Sequence, residues 1–336
     1  LKKCIMEKKG KHLTIMITTF NRRERLLRTL HQIEQQGYFE QYCILISDNC
    51  SDYDVKDMLD KEFEPPFRNL ITVHRWNFNI GHSSNISVSF ALVDTAWCLY
   101  LSDDDILLPG AIKRICEDIN KNPDAIALKY SLKGRNPYPD RVLSTIDDFI
   151  SLYEGIPSQI DEMYYLVRAY HLSRLKDCRI YYTDYSYTYI SYLIPLLFGL
   201  KMEYGYVKTS SFNLIEYDVC PPGENWYYND RYIRTFLGIY SFTDLLLSED
   251  KKTRNRLMKL VMSYLKISYA IECLRHSVSK GDREWLYQKI YSAYCIAHPV
   301  MRFFPKKITW YIVILRRSFS LLLSRVKNIN RCANVF

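Results

Sequence analysis

No C-x-x-C pair occurs among the ten cysteines, at positions 4, 43, 50, 98, 116, 178, 220, 273, 295 and 332. The spacing that structural zinc sites need is therefore missing. Several of these thiols sit inside apolar runs, where a reduced, buried cysteine in a reducing compartment is expected. No apolar stretch approaches the roughly 20 residues of a membrane-spanning helix; the longest, YISYLIPLLFGL (189–200) and WYIVIL (310–315), fall well short. The opening LKKCIMEKKGKH is charged and lacks a following apolar core, and LTIMITTF reads as a strand, so no secretory leader is expected in these residues. Glycine is sparse, 11 of 336 residues, and absent from TTFNRR after the first apolar run. That absence excludes the G-x-G-x-x-G turn of nicotinamide-dependent dehydrogenases and the Gly-rich basic loop of nucleotidyltransferases. No internal repeat or low-complexity tract appears, and the apolar content suffices for a sizeable core in one or two domains.

Charge is present but unevenly spread. Residues 251–336 hold 18 Lys+Arg against 3 Asp+Glu, and residues 1–250 hold 28 against 34, so the net +9 belongs to the tail. In ITWYIVILRRSFSLLLSRVKN (308–328), polar positions 317, 320, 324 and 327–328 and apolar positions 311, 315, 319, 322 and 326 both recur at helical spacing. Such a cationic amphipathic helix either lies in a membrane interface, each Lys or Arg near anionic lipid contributing about 1 kcal/mol, or caps the rest of the chain with a solvated basic face. No nucleic-acid-binding module accompanies the charge.

The first 130 residues alternate short β-rich runs with helix-length amphipathic segments. Strands are expected at about 13–18, 42–47, 70–74, 96–101 and 125–130, and helices near 22–36, 52–62, 82–93 and 109–120, the last with Pro109 in its first turn. This order predicts an α/β fold with a mostly parallel, doubly wound sheet, whose ligands bind beyond the carboxyl ends of the strands. The segments after the strands fit that rule: TTFNRRER, DNCSD, RWNFNIGHSSN and SDDD are all polar and compact. Residues 1–130 are expected as the nucleotide-binding half, 131–250 as a less regular acceptor-binding half, and 251–336 as a basic helical extension.

In WCLYLSDDDILLPG (97–110) a buried strand ends on Asp103, Asp104 and Asp105 side by side. Adjacent carboxylates repel and raise one another's pKa unless a positive group sits among them. A divalent cation bridging carboxylates to a diphosphate is one such group; a solvated turn or helix cap is the plainer alternative. Asp48 ends a strand where it can accept the N3–H of uracil or thymine or simply close an Asx-turn. Arg22 is read as either a phosphate contact or surface charge. Gly81 allows close backbone approach ahead of a helix N-terminus. His74 and His82 are read as structural.

Thr18-Thr19-Phe20-Asn21-Arg22, then Asp48-Asn49-Cys50-Ser51-Asp52, then Asn79-Ile80-Gly81 with Asn85, and finally the acidic turn resemble, in this order, glycosyltransferase family 2. These are inverting nucleotide-sugar enzymes of the GT-A fold, many of which build bacterial surface polysaccharides. The likeness spans residues 13–130, and more weakly 150–210. The usual Pro before the first motif is absent, Cys50 stands where the family has Gly, and Ser102 stands at the first Asp of the acidic motif, with Asp104 and Asp105 at the later two. The resemblance implies donor contacts from Thr19, Asn21, Arg22, Asp48, Asn79, Gly81, Asn85 and Asp103, and a Mn2+ or Mg2+ held by Asp104 and Asp105. The family's general base is an acidic residue ahead of a helix leading to Gly and a strand; that outline puts Asp184 in the role, with Asp161, Glu162 and Glu154 as rivals. The implied reaction moves a sugar from a UDP- or dTDP-sugar to a glycan or lipid-linked acceptor, peripherally at the inner face of the cell membrane. An inactive nucleotide-sugar-binding or scaffold subunit, and a nucleotidyltransferase, are the competing readings.

Overall fold

The computed structural model describes residues 10–156, 168–186, 188, 191–217, 241–243, 247–264, 288, 291–292 and 295. Two compact units divide the chain at Trp226/Tyr227. The first contains one sheet, with strand order β3-β2-β1-β4-β8-β6-β9-β5 and β7 paired to β9.

Strands β1 (Leu13–Thr19), β2 (Tyr42–Asp48), β3 (Ile71–Arg75) and β4 (Trp97–Ser102) form its parallel half. Every residue of β1 and β2 is buried, as expected of strands covered on both faces, and their near-continuous apolar runs follow from that. Helices α1 (Arg23–Gln36), α2 (Val55–Glu62) and α3 (His82–Ser89) make the crossovers. In α1 the buried Leu26, Thr29, Leu30 and Ile33 recur at the i, i+3, i+4, i+7 spacing of one helical face. Asp54 caps α2 by accepting the Lys56 and Asp57 N–H groups. Helix α3 is shorter than its sequence pattern implies: it passes into a 3-10 turn, Phe90–Leu92, ahead of β4.

The acidic turn leads into a three-residue strand β5 (Asp105–Leu107) and helix α4 (Ala111–Lys121), which buries Ile112, Ile115 and Ile119. Pro109 lies before α4, not in its first turn. Gly110 takes the N-cap position at φ 78°, a left-handed conformation that suits glycine. Strand β6 (Ala125–Leu132) does not continue the parallel set beside β4. Between the two lies β8 (Arg168–His171), antiparallel to both. The two-residue β7 (Val142–Leu143) and α5 (Ile146–Gly155), opened by a Thr145/Asp148 capping box, precede it. A short helix α6 (Ile180–Asp184), an almost wholly buried α7 (Leu193–Lys201) and the long β9 (Tyr206–Tyr217) follow. Residues 168–217 thus add strands to the same sheet as residues 13–132. Among the described residues of the second unit, α8 (Lys251–Tyr264) is basic, and Thr243 Oγ1 donates to Met258 Sδ at 3.5 Å. The amphipathic stretch 308–328 lies outside the described residues, as do Asp161 and Glu162. No helix of the described residues is long and apolar enough to cross a membrane.

Candidate functional site

Successive strands β1, β2 and β3 step one way across the sheet, and β4 returns to the other side of β1. The carboxyl ends of β1 and β4 therefore form the switch point where such sheets open a crevice. Register places Thr19 opposite Asp48, and Thr18 opposite Ser102, so the predicted residues of three separate motifs become neighbours.

Asp103 is the hub. It is 2% exposed, accepts Thr19 Oγ1 at 2.8 Å on Oδ2 and accepts Arg22 Nη1 at 3.0 Å on Oδ1. The same Arg22 Nη1 donates to Asp104 Oδ2 at 2.8 Å, with Arg25 Nη1 3.8 Å from that oxygen. Asp104 keeps 23% of its side chain exposed, and both contacts use Oδ2. Asp105 is turned back into the protein, 7% exposed, with Oδ2 accepting the Ser102 N–H at 2.9 Å. Burial pushes the Asp105 carboxyl up to about 8, and repulsion from Asp104 and Asp103 adds to it against the Ser102 hydrogen bond. Burial likewise pushes Asp103 up to about 6, opposed by Arg22 and reinforced by Asp104. Burial, more than mutual repulsion, thus favours the protonated form of both carboxyls.

The polar face of α1 holds this turn. Thr29 Oγ1 lies 3.2 and 3.3 Å from the Asp103 and Asp105 carbonyls, and Arg28 Nη2 donates to the Asp104 carbonyl at 3.3 Å. Gln32 Oε1 accepts Leu107 N–H, and Gln36 bonds both Leu108 O and Ile112 N.

On the β2 side, Asp48 is fully buried; Oδ1 accepts Ser51 N–H at 2.9 Å and Oδ2 accepts Arg75 Nη1 at 3.0 Å. Arg75 also donates to the Tyr53 and Ser51 carbonyls at 2.7 and 2.5 Å, so one guanidinium fixes the whole loop 48–53. Cys50, where the resembling family carries Gly, has φ 68°, which explains why glycine suits that position. Asn21, at φ 54°, receives Asp52 N–H on Oδ1 and donates its own N–H to Ser51 Oγ. Arg75 and Tyr53 were not singled out from the sequence. Each is a single polar residue beside a motif, and only the folded loop turns both towards Asp48.

The third loop locks onto the second. Asn49 Nδ2 donates to Asn79 Oδ1 (2.8 Å), which also accepts Gly81 N–H (2.8 Å), while Asn49 Oδ1 accepts Ile80 N–H (2.9 Å). Gly81 has φ 86°. Asn85 is buried and bonded to Ser47 and Trp76: its Oδ1 accepts Ser47 Oγ at 2.6 Å and Trp76 Nε1 at 2.9 Å. The amides of Asn79 and Asn85 are therefore engaged with the protein itself. His74 packs edge-on against Trp76, ring centroids 4.4 Å apart.

Asp184 is exposed at the end of α6, not at a helix N-cap, and no described contact joins it to the acidic turn. Helix α6 packs against α3, and beyond it the Thr188 carbonyl accepts Ser83 Oγ while Ser191 Oγ bonds Ser87 Oγ at 2.5 Å. Thr188 and Ser191 thus lie against α3, Thr188 at its first turn. Glu154 is exposed on α5.

The fit of a divalent cation can be judged from these groups. Asp104 is partly exposed and its Oδ1 has no described contact; Asp103 lies beside it, engaged by Arg22 and Thr19; Asp105 is committed to its own turn. A hard cation takes one or two carboxylates plus phosphate oxygens, and the partly exposed Asp104 with Asp103 beside it matches that need. No cluster of three or more metal-ligating side chains is preformed among the described residues.

A doubly wound sheet with polar loops and an acidic turn at its switch point defines the class of α/β folds that bind ligands beyond the carboxyl ends of their strands. Residues 14–168 match the family described as Glycosyl transferase family 2. It is similar to the teichoic acid poly(glycerol phosphate) polymerase of Staphylococcus epidermidis, 24% identical over 191 residues, which cover 54% of this chain and 26% of the relative. The chain spans about a quarter of that relative's length. Among solved structures, S. aureus TarS 1–349 in complex with UDP-GlcNAc matches with a TM-score of 0.58 at 11% identity, over 85% of this chain and 81% of that one. Mannosyltransferase PcManGT from Pyrobaculum calidifontis, in complex with GDP-Man and Mn2+, matches with a TM-score of 0.52 at 11% identity, over 94% and 89%. At these identities the likeness shows the fold, which is GT-A.

Proposed function

We propose that the protein is a metal-dependent inverting glycosyltransferase that moves a sugar from a UDP- or dTDP-sugar to a glycan or lipid-linked glycan acceptor in surface-polymer synthesis. One observation carries this reading: Thr19 links the base-side loop to the acidic turn, paired in register with Asp48 and hydrogen-bonded to Asp103. A single nucleotide diphosphate lying across the end of β1 then reaches both.

On this reading the Asp48–Arg75 loop orients the base, and Asn79 and Asn85 position the loops that border it. Asp104 is the first ligand for Mn2+ or Mg2+, with Asp103 beside it and Asp105 shaping the turn. When bound, the cation supplies Lewis-acid stabilisation of the departing diphosphate. Inversion needs a base to take the acceptor hydroxyl proton as that oxygen attacks the anomeric carbon opposite the diphosphate. Asp184 is proposed for this, supported by the packing of α6 on α3 and by the Thr188 and Ser191 contacts with α3. Surface-polymer synthesis is supported by the family and by the similarity to a teichoic acid polymerase.

A thermal-shift panel of nucleotides with and without Mn2+ tests the donor site. A ligand at 100-fold its dissociation constant stabilises a fold by about 2.7 kcal/mol. UDP or dTDP species are expected to give a Mn2+-dependent shift that Asp104→Ala abolishes; an undiminished shift in that variant removes the metal assignment. Asp184→Asn is expected to abolish sugar transfer in a radiolabelled-donor assay with the UDP shift intact. Unchanged turnover moves the base elsewhere.

A further inference from the structure

Asp103 is nearly sealed from solvent, and among the described contacts Arg22 is the cation that touches it. One nitrogen of that guanidinium, Nη1, bridges Asp103 Oδ1 and Asp104 Oδ2 at 3.0 and 2.8 Å. A cation bridging two carboxylates in this way stands where a divalent ion would bridge them. A buried carboxylate stripped of its counter-ion is strongly disfavoured, so the ionised pair needs a cation while no nucleotide is present. Arg22 is also placed to let go. It occupies the N-cap position of α1 without using its side chain to cap the helix, so the side chain can turn without unwinding α1. Arg28, two turns along, retains the Asp104 carbonyl independently.

We propose that Arg22 is the resident counter-ion of the Asp103–Asp104 pair in the nucleotide-free protein, and that it yields both carboxylates to a nucleotide-bound divalent cation and becomes a positioning residue for the diphosphate. This rests on the metal-dependent reading above. Free metal must displace the guanidinium with nothing to receive it. A metal–nucleotide complex brings phosphate oxygens, and charge-assisted bonds from arginine to phosphate are among the stronger hydrogen bonds. Metal and nucleotide therefore bind synergistically, and Arg22 is the source of the synergy. Arg22 thereby also explains how a three-carboxylate turn folds before its ligands arrive.

The test is Mn2+ binding to the full chain, followed by electron paramagnetic resonance of the free ion, with and without UDP, in the parent, Arg22→Ala and Arg22→Lys. The parent is expected to bind Mn2+ weakly alone and much more tightly with UDP. Arg22→Ala is expected to bind Mn2+ alone about tenfold more tightly than the parent and to gain little from UDP. Its metal-free thermal midpoint drops and Mn2+ alone restores it. A merely structural arginine predicts the opposite sign, weaker metal binding on removal, and that result, or an unchanged affinity, overturns the proposal. Where Arg22→Ala does not fold, Arg22→Lys decides. It keeps the charge but loses the planar fork, so it must bind Mn2+ alone several-fold more tightly than the parent, and parent-like affinity overturns the proposal equally. A parent that shows no Mn2+ or UDP response at all sinks the glycosyltransferase site itself, an outcome distinct from a responsive parent with an indifferent Arg22.

Discussion

Tyr53 carries a hydroxyl that lies beside Thr19 and Ser51, buried and without a well-formed hydrogen bond. Burial raises its pKa, and the nearby Asp48 and Asp103 charges add to that, so it is a neutral donor held between the base-side loop and the acidic turn. We propose that this donor serves a ligand. Tyr53→Phe is expected to weaken UDP binding about fivefold, the loss of one neutral hydrogen bond, with the thermal midpoint of the ligand-free protein unchanged or raised. Isothermal titration with UDP and Mn2+ measures it; parent-like affinity assigns the hydroxyl no part in binding. The sequence made the acidic triplet visible because three adjacent carboxylates after an apolar strand are rare enough to demand a cause. It could not show that the three differ. Asp103 is sealed, Asp104 is partly exposed and Asp105 is folded inward because the turn points successive side chains in different directions, which no spacing rule encodes.

The acidic turn and the helix that holds it form a unit with its own pH response. In the native state Asp103 and Asp105 bind protons more tightly than ordinary carboxylates, being pushed up to about 6 and about 8. Between pH 4 and 8 the native protein therefore holds more protons than the unfolded chain, and stability falls as pH rises through that window. Chemical denaturation of the metal-free protein is expected to show this decline, and Asp105→Asn is expected to flatten its upper part, between about pH 6 and 8. A variant whose profile matches the parent's there removes Asp105 as the cause. Sequence reasoning placed α1 but left Arg22 open as surface charge and singled out none of its other polar positions. Arg22, Arg25, Arg28, Gln32 and Gln36 recur at helical spacing and hold the acidic turn, which becomes apparent only once the residues after β4 lie against α1. Strand β8 escaped for a different reason: RAYH is four residues long, lacks an apolar run, and is a strand because β4 and β6 flank it.

Across the whole molecule the sign of charge divides the chain, with the basic excess beyond residue 250. We propose that this excess meets an anionic membrane surface. The full chain is expected to co-sediment with vesicles containing anionic phospholipid and not with neutral ones, and to be released as salt shortens the Debye length from about 8 Å towards 3 Å. Equal sedimentation with both vesicle types, or none with either, leaves the tail as a helical cap.

By itself the sequence determined the parallel half of the sheet, the order of its crossovers and the loops that carry the chemistry. Those features rest on local periodicity and on strands that follow one another in the chain. Tertiary structure alone decided that Thr19 joins Asp48 to Asp103, that Arg22 stands between two carboxylates, that Arg75 organises the base-side loop, and that an antiparallel strand separates β4 from β6. Each of these joins residues tens of positions apart, and such pairings are set by which surfaces can be buried together, a property of the assembled fold and not of any window of the chain.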